Sequence, residues 1–200
     1  MWEFELDYPR QLKEVCEYSR LVYERGLVSA EGGNISARCG ENFLITGTNV
    51  ALRSADREGV VFCGPDGSPL AGREGLRPSK ETPFHKSVYR YRPEVNFIIH
   101  AHPSSSVAFT LLNKELPMLT DSAQMKLVRV PTIPEAWPGT PELAANVEKA
   151  VRENPDTFAF LMKAHGVLVL GREAEECFCL LELLEDTSKI ALWVEAARRN

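Results

Sequence analysis

The stretch EVNFIIHAHP, residues 94–103, is the most informative part of the sequence for the fold. Its run of β-branched and aromatic residues ends at a proline, which is typical of a buried strand, and we predict one over residues 95–102. Because side chains alternate between the two faces of a strand, His100 and His102 project to the same side. The stretch therefore predicts two imidazoles held next to each other on rigid backbone.

A third histidine, His165, follows the apolar run of residues 158–164 and precedes Gly166. Three imidazoles with an open coordination position suit zinc acting as a Lewis acid. The alternative is that these are ordinary histidines hydrogen-bonded to backbone, and spacing alone does not separate the two interpretations. The fourth histidine, His85, lies within a predicted helix, and we interpret it as structural.

Helical and strand-like segments alternate on both sides of this central strand. The apolar spacing predicts helices over residues 8–25, 81–91, 104–112, 141–152 and 173–198. It predicts strands over residues 34–38, 42–46, 60–63 and 68–71 and a buried pair within 158–169, with a loop-rich section up to Pro138. Since tight turns join some strands and helices join others, we expect an α/β fold: a three-layer α/β/α sandwich around a mixed, mostly antiparallel sheet.

Composition excludes several classes of protein. The chain has 200 residues, 44% of them hydrophobic, which suffices for a single domain spanning residues 1–200. A net charge of −5 gives no general attraction to nucleic acid. No apolar run reaches the ~20 residues of a membrane span, and no signal peptide is visible, so we expect a cytoplasmic protein. The five cysteines lack any C-x-x-C spacing and are expected to be reduced.

Two further patterns carry candidate chemistry. Glu81 lies at the start of a predicted helix, where its ionised form is favoured and where it can exchange a proton with a bound substrate. On spacing alone, an ordinary first-turn glutamate is the preferred interpretation. The turns Gly32-Gly33-Asn34 and Gly47-Thr48-Asn49 offer backbone amides that suit a phosphate, although such residues occur in turns of any protein.

Taken together, five motifs resemble the class II aldolase/adducin family over roughly residues 10–195, in the family's order and at its spacings. They are GLVSAEGGNISAR (26–38), FLITGT (43–48), RPSKETPFH (77–85), EVNFIIHAHP (94–103) and KAHGVLVLG (163–171). The resemblance implies the family's helix–sheet–helix sandwich. It also implies a homotetramer whose active sites lie between neighbouring subunits.

The resemblance also implies roles for particular residues. His100, His102 and His165 match the family's zinc ligands, and Glu81 matches its acid–base carboxylate. The positions expected to bind the substrate phosphate are Gly33, Asn34, Thr48, Ser79 and Lys80.

The activity implied is that of a zinc-dependent aldehyde-lyase in carbohydrate metabolism. It would cleave a short ketose phosphate, similar to L-fuculose 1-phosphate, into dihydroxyacetone phosphate and an aldehyde. Zinc would stabilise the enediolate formed on cleavage, and Glu81 would manage the proton at its carbon. The expected partner is therefore a small sugar phosphate, with no nucleic acid or membrane.

At three positions the sequence departs from the family pattern, and these departures leave more than one substrate possible. Lys80 replaces a serine and is able to pair with a phosphate or with a substrate carboxylate, as expected of a 3-oxo-sugar-acid phosphate decarboxylase. Asn49 replaces a glycine but tolerates a left-handed backbone. Asp121 is the nearest match to a proton-donating tyrosine.

Two further functions are alternatives to the aldolase: a methylthioribulose-1-phosphate dehydratase and a non-catalytic, adducin-like scaffold. The retained histidines and Glu81 disfavour the scaffold.

Overall fold

The computed structural model describes residues 3–198, so the first two and last two residues of the expected domain lie outside the described residues. An eight-stranded sheet forms the centre, in the order β4-β3-β2-β1-β5-β8-β7-β6. Every adjacent pair is antiparallel except β6 and β7, which confirms the predicted mixed, mostly antiparallel sheet. The strands are β1 (Asn34–Cys39), β2 (Asn42–Thr46), β3 (Val60–Cys63), β4 (Pro69–Ala71), β5 (Phe97–Ala101), β6 (Thr132–Ile133), β7 (Ala159–Met162) and β8 (Gly166–Gly171).

Helices cover both faces of the sheet, which gives the three layers of the predicted α/β/α sandwich. One face packs against α1 (Glu3–Asp7), α2 (Pro9–Glu24), α4 (Ser104–Thr110), α5 (Asp121–Lys126) and α7 (Ala174–Ala197). The other face packs against α3 (Thr82–Tyr91) and α6 (Pro141–Glu153).

Alternation along the central strands decides what each face receives. In β5, Phe97 and Ile99 belong to the core under α2 and α7, whereas Ile98 belongs to the core under α3 and α6. His100 continues the second set, because side chains two residues apart share a face. The first metal-ligand candidate therefore lies on the side of the sheet covered by α3.

The structure corrects two of the predicted segments. The buried pair predicted within residues 158–169 is present as β7 and β8, but the apolar run 158–164 is not strand up to His165: β7 ends at Met162, and residues 163–165 form a turn in which Ala164 adopts φ +55°. A reversal this tight needs left-handed backbone, which the apolar pattern does not reveal. The section before Pro138 contains α5, whose first turn Thr120 caps by accepting from the Ala123 amide, and the two-residue strand β6, both too short to produce a periodic pattern.

The cysteines agree with the prediction from sequence. All five cysteines are free thiols, and Cys177 is buried while Cys179 is exposed, as their two-residue spacing on a helix predicts. Within residues 3–198, no helix is both long and apolar enough to cross a lipid bilayer.

Candidate active site

Three histidines meet at the ends of two neighbouring strands. His100 lies in β5, His102 comes just after its end, and His165 lies in the turn that leads into β8. The ring centroid of His100 lies 4.8 Å from those of both His102 and His165, and the last two are 5.2 Å apart. One ligand atom from each ring lies within 4.8 Å of the others, so the trio is able to hold one metal ion.

The orientation of His100 is fixed by backbone. Its Nδ1 lies 2.9 Å from the carbonyl oxygen of Val167 in the paired strand β8. Because a carbonyl only accepts, Nδ1 carries the hydrogen, and the lone pair of the neutral ring is on Nε2. That Nε2 faces the cluster, 3.0 Å from Nε2 of His102. This backbone acceptor is the support that metal-binding histidines ordinarily have.

Two glycines allow the loop before β1 to approach these histidines. A Cβ on Gly32 would lie 2.6 Å from Nδ1 of His102. Gly33 has φ +76°, and a Cβ there would lie 2.8 Å from the carbonyl oxygen of His100. Both contacts are shorter than a side chain tolerates, so the loop depends on glycine at these positions.

Glu81 directs its carboxylate at the same point. It occupies the N-cap position of α3, yet its side chain makes no capping hydrogen bond. Its Oε2 lies 3.2 Å from Nε2 of His100, and its Oε1 lies 3.5 Å from Nε2 of His165. The amide of Asn34 donates to Oε2 at 2.8 Å. The carboxylate is therefore held among the histidines and does not serve to cap the helix.

These groups perturb one another's protonation. Burial favours the neutral form of Glu81, but His100 and His165 outweigh it and hold the pKa of Glu81 far below its usual range. Burial likewise opposes charge on His100, but Glu81 outweighs it and raises the pKa of His100. Burial, with the charge of His100, lowers the pKa of His102 to about 3 and that of His165 to about 4. Two of the three rings are therefore neutral at pH 7, the form that binds metal.

The donor set fits a divalent ion. Ring nitrogens of the three imidazoles face one another and the Glu81 carboxylate. This arrangement favours positive charge among them, either the proton on His100 or a metal ion. Oε1 of Glu81 is buried without a hydrogen-bond partner among the described residues. Three neutral imidazoles with a further open position are the ligands of catalytic zinc sites.

A cavity of about 170 Å³ opens above the histidines. Eight of the nine predicted site residues line this cavity, and the ninth, His100, is fully buried. A larger groove of about 840 Å³ lies elsewhere and is lined by no histidine. The smaller cavity is lined by Glu31, Gly32, Gly33, Asn34, Gly47, Thr48, Asn49, Ser79, Lys80, Glu81, His102, Pro138 and His165.

The lining of this cavity includes free donors that suit an anion. The backbone amides of Gly33, Asn49 and Lys80 donate to no protein acceptor within residues 3–198. Asn49 has φ +61°, so asparagine does adopt the left-handed backbone expected of it. The Ser79 hydroxyl accepts from the Glu81 amide at 3.2 Å, which leaves its own hydrogen free. The exposed ammonium of Lys80 forms no ion pair in the described part of the chain.

Two of the predicted phosphate-binding residues have other engagements. Thr48 donates its hydroxyl to the Pro78 carbonyl at 2.8 Å and its amide to the Arg77 carbonyl at 2.9 Å. Asn34 is 4% exposed, and its side chain contacts Glu81 and His85. These side chains shape the cavity, and a phosphate would require the Thr48 hydroxyl to rotate.

Sequence reasoning missed the polar contacts behind Glu81. His85 connects Asn34 to Ser36, and Ser36 contacts Tyr89. The signal was present, because polar residues recur every second position in β1 and every fourth position from Glu81 along α3. Asp121, by contrast, is exposed at the start of α5 and does not line the cavity.

The chain is similar to a known protein family and to several named enzymes. Residues 13–192 match the model of the class II aldolase and adducin N-terminal domain. The chain is 28% identical to an L-fuculose phosphate aldolase of Methanococcus maripaludis, over 90% of this chain and 94% of that one. It is 32% identical to a 3-oxo-tetronate 4-phosphate decarboxylase of Cupriavidus necator, over 91% and 82%.

A solved structure shares the fold. The L-fuculose-1-phosphate aldolase of Thermus thermophilus superposes with a TM-score of 0.83 at 26% identity, covering 95% of this chain and 96% of that one. The family match spans most of the chain and includes every residue of the histidine cluster. The chain therefore belongs to the class II aldolase and adducin N-terminal domain family.

Proposed function

We propose that the protein is a metal-dependent aldolase that cleaves a short ketose phosphate, similar to L-fuculose 1-phosphate, into dihydroxyacetone phosphate and an aldehyde. The observation that carries this proposal is the position of Glu81. Its carboxylate lies within 3.5 Å of Nε2 atoms of two of the three histidines and borders the cavity. A carboxylate able to transfer a proton and the candidate metal ligands therefore lie next to the same small cavity.

The residues divide the work of this reaction. His100, His102 and His165 would hold the ion, for which zinc is our choice, and bound zinc supplies Lewis-acid stabilisation of negative charge on substrate oxygen. Glu81, ionised because of its histidine neighbours, takes or returns the proton at the substrate carbon next to the carbonyl group. Burial of both groups strengthens these electrostatic effects because water does not screen them.

The substrate phosphate would bind to the free donors of the cavity lining. The amides of Gly33, Asn49 and Lys80 and the hydroxyl of Ser79 have hydrogens to donate there. The Lys80 ammonium adds the positive charge that the chain as a whole lacks. Backbone amides and a nearby lysine are a recurrent way of binding phosphate.

We also propose that the enzyme works as a homotetramer with active sites at subunit interfaces. Trp137 is 82% exposed and is adjacent to Pro138, which lines the cavity. A subunit that covered the Trp137 side chain would also lie next to this site, and aromatic residues are enriched at subunit interfaces.

A decarboxylase of a 3-oxo-sugar-acid phosphate is the second candidate. The observation that favours it is Lys80, an exposed cation beside Glu81 with no carboxylate partner in the described chain. A substrate carboxylate is able to fill that role.

The test is a panel of ketose 1-phosphates and 3-oxo-acid 4-phosphates, incubated with the zinc-loaded protein. Release of dihydroxyacetone phosphate from a ketose phosphate is the expected result, with Glu81→Gln as the inactive control. Loss of the carboxylate from a four-carbon 3-oxo-acid 4-phosphate also leaves dihydroxyacetone phosphate, so the two activities are separated by substrate and by carbon dioxide. Carbon dioxide release from a 3-oxo-acid 4-phosphate, with no product from any ketose phosphate, would favour the decarboxylase. Neither product, from protein of full zinc content, would contradict both candidates.

A further inference from the structure

A continuous line of buried polar side chains runs from Glu81 between β1 and α3. Asn34 and Ser36 belong to β1, while His85 and Tyr89 follow Glu81 at four-residue intervals on α3. No more than 8% of any of these five residues is exposed. Polar groups buried this completely are costly unless each is paired, so their pairing is informative.

The contacts form one unbranched chain that alternates between the strand and the helix. Asn34 Nδ2 lies 2.8 Å from Glu81 Oε2, and Asn34 Oδ1 lies 2.6 Å from His85 Nε2. Ser36 Oγ then lies 2.7 Å from His85 Nδ1 and 2.7 Å from Tyr89 Oη. Every link has the length of a good hydrogen bond.

The charge of Glu81 sets the direction of every link. An ionised carboxylate only accepts, so Asn34 must present its NH₂ group to Glu81 and its carbonyl oxygen to His85. His85 must then carry its proton on Nε2, which leaves Nδ1 as an acceptor for the Ser36 hydroxyl. Ser36 has its hydrogen committed and must accept from Tyr89. The chain thus donates in one direction, from Tyr89 to Glu81.

The far end of the chain is anchored. The Arg38 guanidinium lies 4.6 Å from the centre of the Tyr89 ring and donates to the Tyr89 carbonyl at 2.9 Å. It also donates to the carbonyls of Val95 and Arg92. Tyr89 is therefore fixed at the end of α3, and the chain begins from a rigid point.

The near end determines where the carboxylate points. Glu81 makes no capping bond, and His100 is the other described residue that lies close to Oε2. When the Nε2 lone pair of His100 is used to hold a metal ion, Asn34 is the remaining hydrogen-bond donor to that oxygen. A rotated Asn34 amide would instead set its oxygen against the carboxylate.

We propose that the chain Tyr89–Ser36–His85–Asn34 positions the Glu81 carboxylate for proton transfer, with His85 as its central positioning residue in a single Nε2–H form. The proposal rests on the acid–base role proposed for Glu81. It differs from a purely structural network because it predicts an effect on turnover rather than on binding.

The first test needs no substrate. In metal-free protein labelled with ¹⁵N-histidine, the His85 signals are those missing from the spectrum of His85→Gln. We expect Nε2 to carry the proton and Nδ1 to be an unprotonated acceptor at pH 7. A proton on Nδ1, or on both nitrogens, would overturn the proposed direction of the chain.

The second test is kinetic, with zinc-loaded protein and L-fuculose 1-phosphate as the probe. His85→Leu is expected to lower kcat about ten- to a hundredfold, the usual effect of an outer-shell partner, with KM and zinc content unchanged. His85→Gln, which retains an N–H at the position of Nε2, should restore most of kcat. Tyr89→Phe should lower kcat about two- to tenfold, since it removes one hydrogen bond and leaves the fold intact.

Tyr91→Phe is the matched control, because it removes a hydroxyl from the same helix that has no hydrogen-bond partner in the described chain. It should leave kcat unchanged. Equal rates for Tyr89→Phe and Tyr91→Phe, or a change in KM alone, would contradict the positioning role. If the wild-type protein cleaves no ketose phosphate, the proposed function fails, whereas the NMR result still decides the direction of the chain.

Discussion

The two faces of strand β1 carry opposite kinds of residue. Ile35 and Ala37 are buried in the apolar core beneath α2 and α7. Asn34 and Ser36, each one position away, both hydrogen-bond to His85 of α3. Both faces are buried, so they differ in the polarity of their side chains and not in exposure. A single strand thus separates stabilisation of the fold from support of the site.

This contrast indicates which property each substitution should change. The apolar face contributes through area removed from water, which is insensitive to direction. The polar face contributes through hydrogen bonds whose geometry and polarity matter. Changes on the first face should therefore alter stability, and changes around the second should alter metal binding, turnover or pH dependence.

We expect the strongest effect from His100→Ala, in strand β5 opposite Asn34 of the polar face. Losing one of three imidazoles should remove most of the bound metal and lower kcat/KM about a thousandfold or more, since a Lewis acid is worth several kcal/mol. Elemental analysis and steady-state kinetics measure this, and circular dichroism should show an intact fold. Full zinc content in the variant would show that His100 is not a ligand.

Next in size is Glu81→Gln, which keeps the shape of the side chain and removes its charge. We expect kcat to fall about 10²- to 10⁴-fold, the range for general acid–base groups, while zinc remains bound. Unchanged kcat in zinc-replete protein would remove Glu81 from the mechanism.

Ile35→Ala tests the apolar face. Ile35 is fully buried, so we expect a loss of about 2–5 kcal/mol in the free energy of unfolding from the transfer and cavity terms. Urea denaturation measures it, and Ile35→Val should cost only about 0.5–1.5 kcal/mol. Zinc content and kcat of the folded protein should match the wild type. A catalytic loss as large as that of Glu81→Gln would refute the distinction between the faces.

The weakest effect concerns acid stability of the polar face. Burial, with the charge of His100, lowers the pKa of His85 from 6.5 to about 3. As the pH falls, the unfolded chain therefore protonates His85 at a higher pH than the folded chain does. The contribution of neutral His85 to the free energy of unfolding is complete above pH 6.5 and is lost as the pH falls toward 3. Between pH 7 and pH 5 the loss is about 2 kcal/mol.

His85→Gln isolates this contribution. Metal-free wild-type protein should lose about 2 kcal/mol more stability than His85→Gln when denaturation is compared at pH 7 and pH 5. Identical pH dependence in the two proteins would show that His85 is not buried in its neutral form.

Much of the fold followed from local pattern. The apolar run that ends in His100-Ala101-His102 defined β5, and strand alternation placed both imidazoles on one face. The turn at residues 163–165 and the elements α5 and β6 did not follow, because left-handed backbone and very short elements leave little periodic trace.

The site was predictable in composition but not in geometry. Of the nine site residues predicted from the family motifs, eight line one cavity and the ninth, His100, is buried. Spacing did not reveal that the Thr48 donors bind backbone, or that Asn34 turns inward to Glu81. Those facts depend on which strand faces which helix, and His85 looked structural until β1 was placed beside α3.

The proposed chemistry depends on His100, His102 and His165 holding one divalent ion beside Glu81. Zinc titration of metal-free protein, with X-ray absorption of the loaded form, tests this arrangement without any assumption about the substrate. We predict about one zinc per chain, coordinated by three imidazole nitrogens together with oxygen, and loss of this signal in His100→Ala. Protein that binds no zinc, or zinc ligated by sulfur, would disprove the proposed metal site.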